Sequence, residues 1–297
     1  MGPDTGAYLR KCYPEGRVFP SAAEDGPSSA VRNARNSLEE SRDVWGCAVA
    51  EVLGIDIGGT GIKGAPVDVE RGTLTADRYR LLTPQPAKPD AVADVVAQVA
   101  AKFGGEGTAG ATFPAVILGG VAQTAANVDK SWIGEDVAKR LGQAAGWPFV
   151  VLNDADAAGL AEMRFGAGRD KKGVVMMITL GTGIGSALFV DGALVPNTEL
   201  GHLELRGKEA EKRASETVRE NKGLSWTKWG QRVDEYLRHV EKLFWPDLFI
   251  IGGGVSKKAT KFFEFLKTRA PIVPAQLLNE AGIVGAAVAA KEAGSGG

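Results

Sequence analysis

The sequence predicts an α/β fold in two lobes, and three observations carry that reading. Apolar strand-like runs alternate with amphipathic helical stretches from about residue 48 onward. The tetrapeptide Gly-Thr-Gly-Ile occurs at 59–62 and again at 181–184, each time between two strand-like runs. The 297 residues, 44% of them hydrophobic and 24% charged, suffice to bury one large core or two moderate ones.

Residues 1–47 mix Gly, Pro, Ser, Arg and Glu without a sustained period of 2 or 3.6, so they read as a poorly ordered extension outside the fold. From Ala48, AVAEVLGIDI reads as a strand, Gly58–Gly61 as a turn and IKGAPVDV as a second strand, with Ile62, Ala65, Val67 and Val69 spaced for strand. Asp90 is a candidate cap for a helix through Phe103, whose Val92, Val95, Val96 and Val99 share one face. A second helix fits Glu135 to Ala145, stopped by Gly146 and followed by Pro148. PFVVLND is a buried strand, with the helix Ala155 to Phe165 behind it. VVMMITL (174–180) runs into GTGIG and then SALFVDGALV, the second strand–turn–strand unit. Long charged helical stretches fill about 207–245, LFIIGGG is a strand, Ser256 caps a helix to Thr268, and an Ala-rich helix closes the chain. The predicted lobes are a small one at 48–150, with the helix at about 281–293 packing back on it, and a large one at 151–280.

Composition excludes several classes of function. The 35 Lys+Arg nearly cancel the 36 Asp+Glu, so no global field draws the chain to nucleic acid or an anionic membrane. Its two cysteines, Cys12 and Cys47, are too few for a disulfide framework or a four-ligand zinc site. No apolar run approaches the roughly 18 residues of a membrane span, and the N-terminus lacks a signal-type core, so the expected compartment is the cytoplasm.

The stretch LGIDIGGTGIKG carries the first chemical signal. A dinucleotide fingerprint or a P-loop needs Gly-rich backbone opening directly into a helix. Here a strand follows, with Pro66 and β-branched residues where that helix would run. In a hairpin the turn N–H groups and the Thr60 hydroxyl can still wrap phosphate oxygens, or the glycines can serve only to give a tight turn its positive φ. Asp56, a carboxylate at an apolar strand end, is costly to bury unless it meets a cation such as Mg²⁺. Asp154 follows the apolar run 149–152 and precedes a helix, at the carboxyl end of a strand, where open α/β sheets place ligands. It suits a helix cap or a general base, and Asp156 is the rival for either role. In NTELGHLE, Glu199 and His202 stand three apart beside a glycine and can converge on vicinal hydroxyls. Arg206 to Arg232 carry eight Lys/Arg and four Asp/Glu, and Ile251 to Ala270 carry five against one. Both runs suit either solvated helix faces or a groove for a long polyanion.

DIGGTGIKG, LGTGIG and IIGGGVS resemble the phosphate-1, phosphate-2 and adenosine segments of the sugar-kinase, Hsp70 and actin superfamily, and the ROK sugar-kinase family fits within it. More narrowly, GIDIGGTGIKGAPVD, TAANVDKSW, VLNDADAAGLAE and ELGH are similar to the actinobacterial polyphosphate glucokinases, over about residues 50 to 290. The resemblance implies an actin-like sugar-kinase (ribonuclease H-like) fold with a cleft between lobes. It implies transfer of the terminal phosphoryl group of inorganic polyphosphate or ATP to the 6-hydroxyl of glucose, with Mg²⁺. Asp154 becomes the catalytic base, and Asn153, Asn127, Glu199, His202 and Glu211 (of EKRAS) the sugar ligands. The donor falls to Gly58, Gly59, Thr60 and Gly61 and to Gly181, Thr182 and Gly183, with Asp56 and Lys63 managing metal and phosphate charge. Gly252, Gly253 and Gly254 either admit an adenine by close backbone approach or simply end a strand before the helix capped by Ser256. In this family the histidine often ligates a structural zinc with a following cysteine cluster. That cluster is absent here, so no zinc is expected. A homodimer is implied, with no nucleic-acid or membrane partner. The rival readings are an ATP-only ROK kinase for another hexose, such as mannose or N-acetylmannosamine, and a sugar-responsive repressor or an assembly ATPase on the same scaffold. For the repressor, residues 1–47 lack the apolar periodicity of a helix-turn-helix.

Overall fold

The computed structural model describes residues 51–104 and 107–295. The predicted extension at 1–47 and the first residues of the predicted strand at 48–57 lie outside them. Strand β1 (Glu51–Ile57) and strand β2 (Ile62–Asp68) form the predicted hairpin, in a register that sets Ile57 opposite Ile62 and Asp56 opposite Lys63. Two short strands, β3 (Thr73–Leu74) and β4 (Tyr79–Leu81), extend it along β2. After helix α1 (Pro89–Phe103), strand β5 (Ala109–Phe113) runs parallel to β1. The small hairpin β6 (Ile117–Leu118) and β7 (Val121–Ala122) and helix α2 (Val137–Ala145) lead to β8 (Phe149–Asn153), parallel to β5. Helix α3 (Asp154–Phe165) follows at once.

The same plan then recurs. Strands β9 (Val174–Leu180) and β10 (Ile184–Val190) make a hairpin around the second glycine turn, and β11 (Ala193–Val195) extends it. A hairpin of β12 (Glu204–Leu205) and β13 (Lys208–Glu209) precedes helices α4 (Glu211–Ala214), α5 (Glu216–Asn221) and α6 (Trp226–Phe244). Strand β14 (Leu248–Gly252) then lies parallel to β9, and β15 (Ile272–Pro274) parallel to β14. The sheet orders are β3-β2-β1-β5-β8, with β4 also on β2, and β11-β10-β9-β14-β15. The repeated tetrapeptide therefore marks a repeated fold unit: hairpin, then parallel strands. This is the predicted α/β class, and its layers have separate cores. Ile55, Ile57 and Ile62 pack with Val92, Val96 and Val99 of α1, whereas Met176, Ile178 and Leu180 pack with Trp229, Val233, Tyr236, Leu237 and Val240 of α6. The latter five recur at helical spacing, which is why one face of α6 is buried.

The last helix, α7 (Ala281–Ser295), lies against the first sheet on glycine. A Cβ at Gly54, Gly110 or Gly285 would overlap the carbonyl oxygen of Ile283, Ala286 or Ala157. Helix backbone thus rests on β1, β5 and α3, and Ile283, Val284, Ala287 and Val288 fill a core with Ala65, Val67 and Ala161.

Several elements depart from the sequence reading. Helix α1 starts at Pro89 with Lys88 as N-cap, and Asp90 sits in its first turn, paired with Arg140 at 2.6 Å. Helix α2 starts at Val137, because Asp136 accepts a hydrogen bond from the Lys139 N–H. SALFVDGALV is two strands, since Asp191 and Gly192 take φ of 51° and 88°, both positive, as a tight hairpin turn requires. The charged stretch at 207–245 is broken where Ser215 and Ser225 cap α5 and α6. The predicted helix Ser256 to Thr268 is instead two 3₁₀ segments, Gly254–Lys261 and Phe263–Phe265, with a non-helical break at Lys258. Ser256 donates to the Gly253 carbonyl at 2.8 Å rather than capping, and Phe262 is drawn fully into an aromatic cluster with Trp226 and Trp229. Among the described residues no helix is long and apolar enough to cross a membrane.

Candidate active site

The β8–α3 junction decides which acid is available for chemistry. Asn153 caps α3: its Oδ1 accepts from the N–H groups of Ala155 at 2.8 Å and Asp156 at 3.3 Å. Neither Asp154 nor Asp156 is needed for that purpose. Asp156 is 1% exposed and accepts the Asn197 N–H at 2.8 Å, while its Oδ1 has no partner among the described residues. Asp154, whose Oδ1 accepts from the Ala155 N–H at 2.8 Å, faces a cavity of about 950 Å³.

That cavity takes its lining from both sheets. Asp56, Lys63, Asn127, Asn153 and Asp154 come from the first half of the fold. Gly181, Thr182, Gly183, Glu199, His202, Glu211 and Gly252, Gly253 and Gly254 come from the second. Asp156 is not among the lining residues. Nor are Gly58, Gly59, Thr60 and Gly61, although both flanking residues, Asp56 and Lys63, are. The turn carbonyls explain its position. Gly58 O accepts from Thr83 Oγ1, Gly59 O from Gln85 Nε2 and Thr60 O from Arg80, so the tip is tied to the 80–85 segment beside the cavity.

The glycines of the two turns are not there for positive φ: none of Gly58, Gly59, Gly61, Gly181 and Gly183 has it. Close approach accounts for most of them. A Cβ at Gly59 would lie 3.0 Å from Asn127 Cβ, one at Gly61 would strike the Arg80 guanidinium, and one at Gly183 would strike the Glu211 carboxylate. At Gly181 a Cβ would meet nothing within 4 Å. Gly253, with φ of 82° and the Leu180 carbonyl where a Cβ would stand, is the cavity-lining glycine whose conformation requires the residue.

Asp56 finds its cation within the chain. Lys63 Nζ lies 2.9 Å from Asp56 Oδ2, Thr112 Oγ1 donates to Oδ1 at 2.8 Å, and Lys63 also donates to the Asn279 carbonyl at 3.4 Å. Gly282, in the first turn of α7, leaves room for this carboxylate, from which a Cβ would be 3.0 Å. Thr112, Asn279 and Gly282 escaped the sequence reading. Only Gly282 left a signal, as a glycine opening an otherwise Ala-rich helix.

The acids are crowded, and their proton affinities follow. Asp154 is pushed up to about 7, first by burial, then by Asp56, with Glu199 and Asp156 adding and the Ala155 N–H opposing. Asp154 is exposed to the cavity, so its full desolvation belongs to the cleft once a ligand has displaced its water. Burial also raises Asp156 to about 6, against the Asn197 N–H, and raises Glu199, against His202. Asn153 Nδ2 donates to the Ala115 carbonyl at 3.1 Å and toward Glu199 Oε1 at 3.5 Å. His202 lies between Glu199 (3.8 Å) and Glu209 (3.6 Å), and Lys212 reaches Glu209 at 2.6 Å. His202, Glu209 and Glu211 offer ligand atoms within 4.8 Å of one another, an oxygen–nitrogen set that cysteine counting does not weigh.

The basic runs divide. Arg206, Arg213, Lys228 and Arg232 line a separate groove of about 680 Å³ along α6, where Glu235 pairs with both Arg206 and Arg213. Arg219, Lys258 and Lys261 collect elsewhere, around Trp226.

A cleft built from two glycine-turned hairpins, with one acid at a strand end facing polar groups of the other half, defines a sugar-kinase site. A model of the ROK family matches residues 52–217, and the chain belongs to that family. It is 54% identical to the polyphosphate glucokinase of Mycobacterium tuberculosis over 238 residues, which span 80% of this chain and 90% of the relative. Among solved structures it resembles the inorganic polyphosphate/ATP-glucomannokinase of Arthrobacter sp. strain KM, with a TM-score of 0.80, 53% identity and coverage of 82% of this chain and 99% of that one. It also resembles the ROK family glucokinase of Streptomyces griseus in complex with glucose and AMPPNP, at a TM-score of 0.69, 26% identity and coverage of 82% and 100%.

Proposed function

We propose that the protein is a glucokinase that moves the terminal phosphoryl group of inorganic polyphosphate, or of ATP, to the 6-hydroxyl of glucose. The observation that carries this is the meeting of Asp154, the polar set of Asn153, Glu199, His202 and Glu211, and the turns at 181–183 and 252–254 in one cavity. Similarity to the Mycobacterium and Arthrobacter proteins supports polyphosphate as donor and glucose as acceptor.

Asp154 accepts the hydroxyl proton as the sugar oxygen attacks, with Ala155 N–H holding one carboxylate oxygen in place. Asn153 Nδ2 and Glu199 Oε1 offer a donor and an acceptor to neighbouring hydroxyls, and Asn127, His202 and Glu211 complete the sugar set. Lys63 and the Gly181–Gly183 backbone bind the transferred end of the donor, while Gly58–Gly61 meet it from beside the cavity. Because phosphoryl transfer asks little covalent chemistry of a protein, holding the hydroxyl in line and screening phosphate charge supply most of the rate. A Mg²⁺ carried by the donor fits Asp56, a cavity-facing carboxylate whose oxygens already serve a cation and a hydroxyl, and would supply charge neutralisation there. The lobes that close on the substrates are 48–150 with the helix 281–293, and 151–280. A cytoplasmic homodimer is the assembly the family resemblance implies.

The sign of the pH dependence follows from the raised Asp154. A base with a pKa of about 7 is protonated, and idle, below that pH. kcat at saturating glucose is therefore level above pH 7 and falls about tenfold per pH unit below it; a profile flat to pH 5 contradicts the assignment. The activity itself is tested by following glucose 6-phosphate with purified, nucleotide-free polyphosphate as sole donor. Glucose 6-phosphate forms, EDTA abolishes its formation and added Mg²⁺ restores it. Turnover with ATP alone, and with mannose or N-acetylmannosamine preferred to glucose, would replace this reading by that of an ATP-only hexose kinase.

A further inference from the structure

Part of the basic run at 251–270 lies on the segment Gly254–Lys261, whose first residue lines the cavity, and has no role in the chemistry above. Trp226, at the start of α6, has the Arg219 guanidinium 4.2 Å, Lys261 Nζ 5.5 Å and Lys258 Nζ 5.9 Å from its ring centroid. The elements that carry these cations abut both glycine segments of the second sheet. The Thr217 N–H of α5 donates to Gly181 O at 3.2 Å, and Glu216 Oε2 lies 3.7 Å from where a Cβ on Gly254 would stand. Lys258 pairs with that same Glu216 at 3.4 Å.

Three like charges around one ring repel one another, and the indole face offsets this only in part. Arg219 has Glu220 at 2.9 Å, Lys258 has Glu216, and Lys261 has no ion pair among the described residues. The Arg219 Nε is buried there without a hydrogen-bond partner. The indole itself is occupied: Arg219 lies over it, Phe262 stacks at 6.2 Å and 19°, and Trp229 meets it edge-on at 5.7 Å. It holds cations rather than offering a face to a nucleobase.

We infer that Arg219, Lys258 and Lys261, gathered on Trp226, bind the distal phosphates of a polyphosphate chain that leaves the cleft past Gly254, and so determine the choice of donor. The inference rests on the proposed transfer from polyphosphate. Past its third phosphate ATP continues as an uncharged nucleoside, which gives these cations nothing to meet. Polyphosphate continues with a negative charge on every unit.

The test is the double variant Lys258→Gln/Lys261→Gln, assayed with long-chain polyphosphate, tripolyphosphate and ATP over a range of salt. With the long chain KM rises about tenfold, and the slope of log KM against log salt falls by about 1.4, roughly 0.7 for each phosphate no longer neutralised. KM and kcat with ATP and tripolyphosphate stay within about twofold, and Lys258→Arg/Lys261→Arg restores long-chain binding. Equal losses with all three donors, or an unchanged long-chain KM and salt slope, overturn the inference and leave the proposed reaction standing. A wild-type enzyme inert with polyphosphate overturns both.

Discussion

Asp154→Asn lowers kcat for glucose phosphorylation by about 10²–10⁴-fold with either donor, while the Kd for glucose stays within a few-fold. The substitution is close to isosteric. Its amide oxygen can still accept the Ala155 N–H, and the α3 cap belongs to Asn153, so fold and cavity persist. What is lost is the group that takes the proton. Calorimetry with glucose separates this from a binding defect, and near-normal turnover would move the base elsewhere. Asp156 is then a poor successor, because it is buried against the Asn197 amide and does not face the cavity.

Gly110→Ala destabilises the fold by about 3 kcal/mol or more, or prevents folding, because one methyl group is forced into backbone. The new Cβ would fall on the Ala286 carbonyl of α7, with the Ala287 nitrogen beside it, and neither can turn aside as a side chain can. Relief requires α7 to lift from β5, and with it from Asp56, toward which Gly282 of the same helix is packed. Gly294→Ala is the control: a Cβ there meets nothing within 4 Å, and stability changes by less than about 1 kcal/mol. Denaturant midpoints with unchanged slopes read both effects. A Gly110→Ala midpoint equal to that of the unsubstituted protein would mean that the helix does not bear on the sheet as described.

The two hairpins were legible because β1 and β9 are short apolar runs, buried along most of their length, that each break at a glycine turn and resume as a second strand. Their pairing even contained the cation for Asp56. Once GGTG is a turn, Ile57 must oppose Ile62 and Asp56 must oppose Lys63, as observed, so an inferred Mg²⁺ was not the sole way to satisfy that carboxylate. Other features depended on distant chain. Asp154 and Asp156 are equivalent in sequence, each just past a strand. Asn197, some forty residues on, takes one of them out of the cavity. The helix predicted from Ser256 fails because Phe262 finds Trp226 and Trp229, which no local pattern announces. Likewise the glycines of both turns suggested positive φ, whereas the demand comes from Asn127, Arg80 and Glu211 pressing against them from other segments.

The most direct measurement is a crystal structure with glucose and a polyphosphate bound together. The 6-hydroxyl oxygen should lie about 2.6–3.2 Å from an Asp154 carboxylate oxygen, with the nearest phosphate between it and the backbone of Gly181–Gly183. A hexose whose 6-hydroxyl points away from Asp154, or a phosphate chain seated outside the cavity shared by Lys63 and Gly183, would contradict the assignment of this cleft.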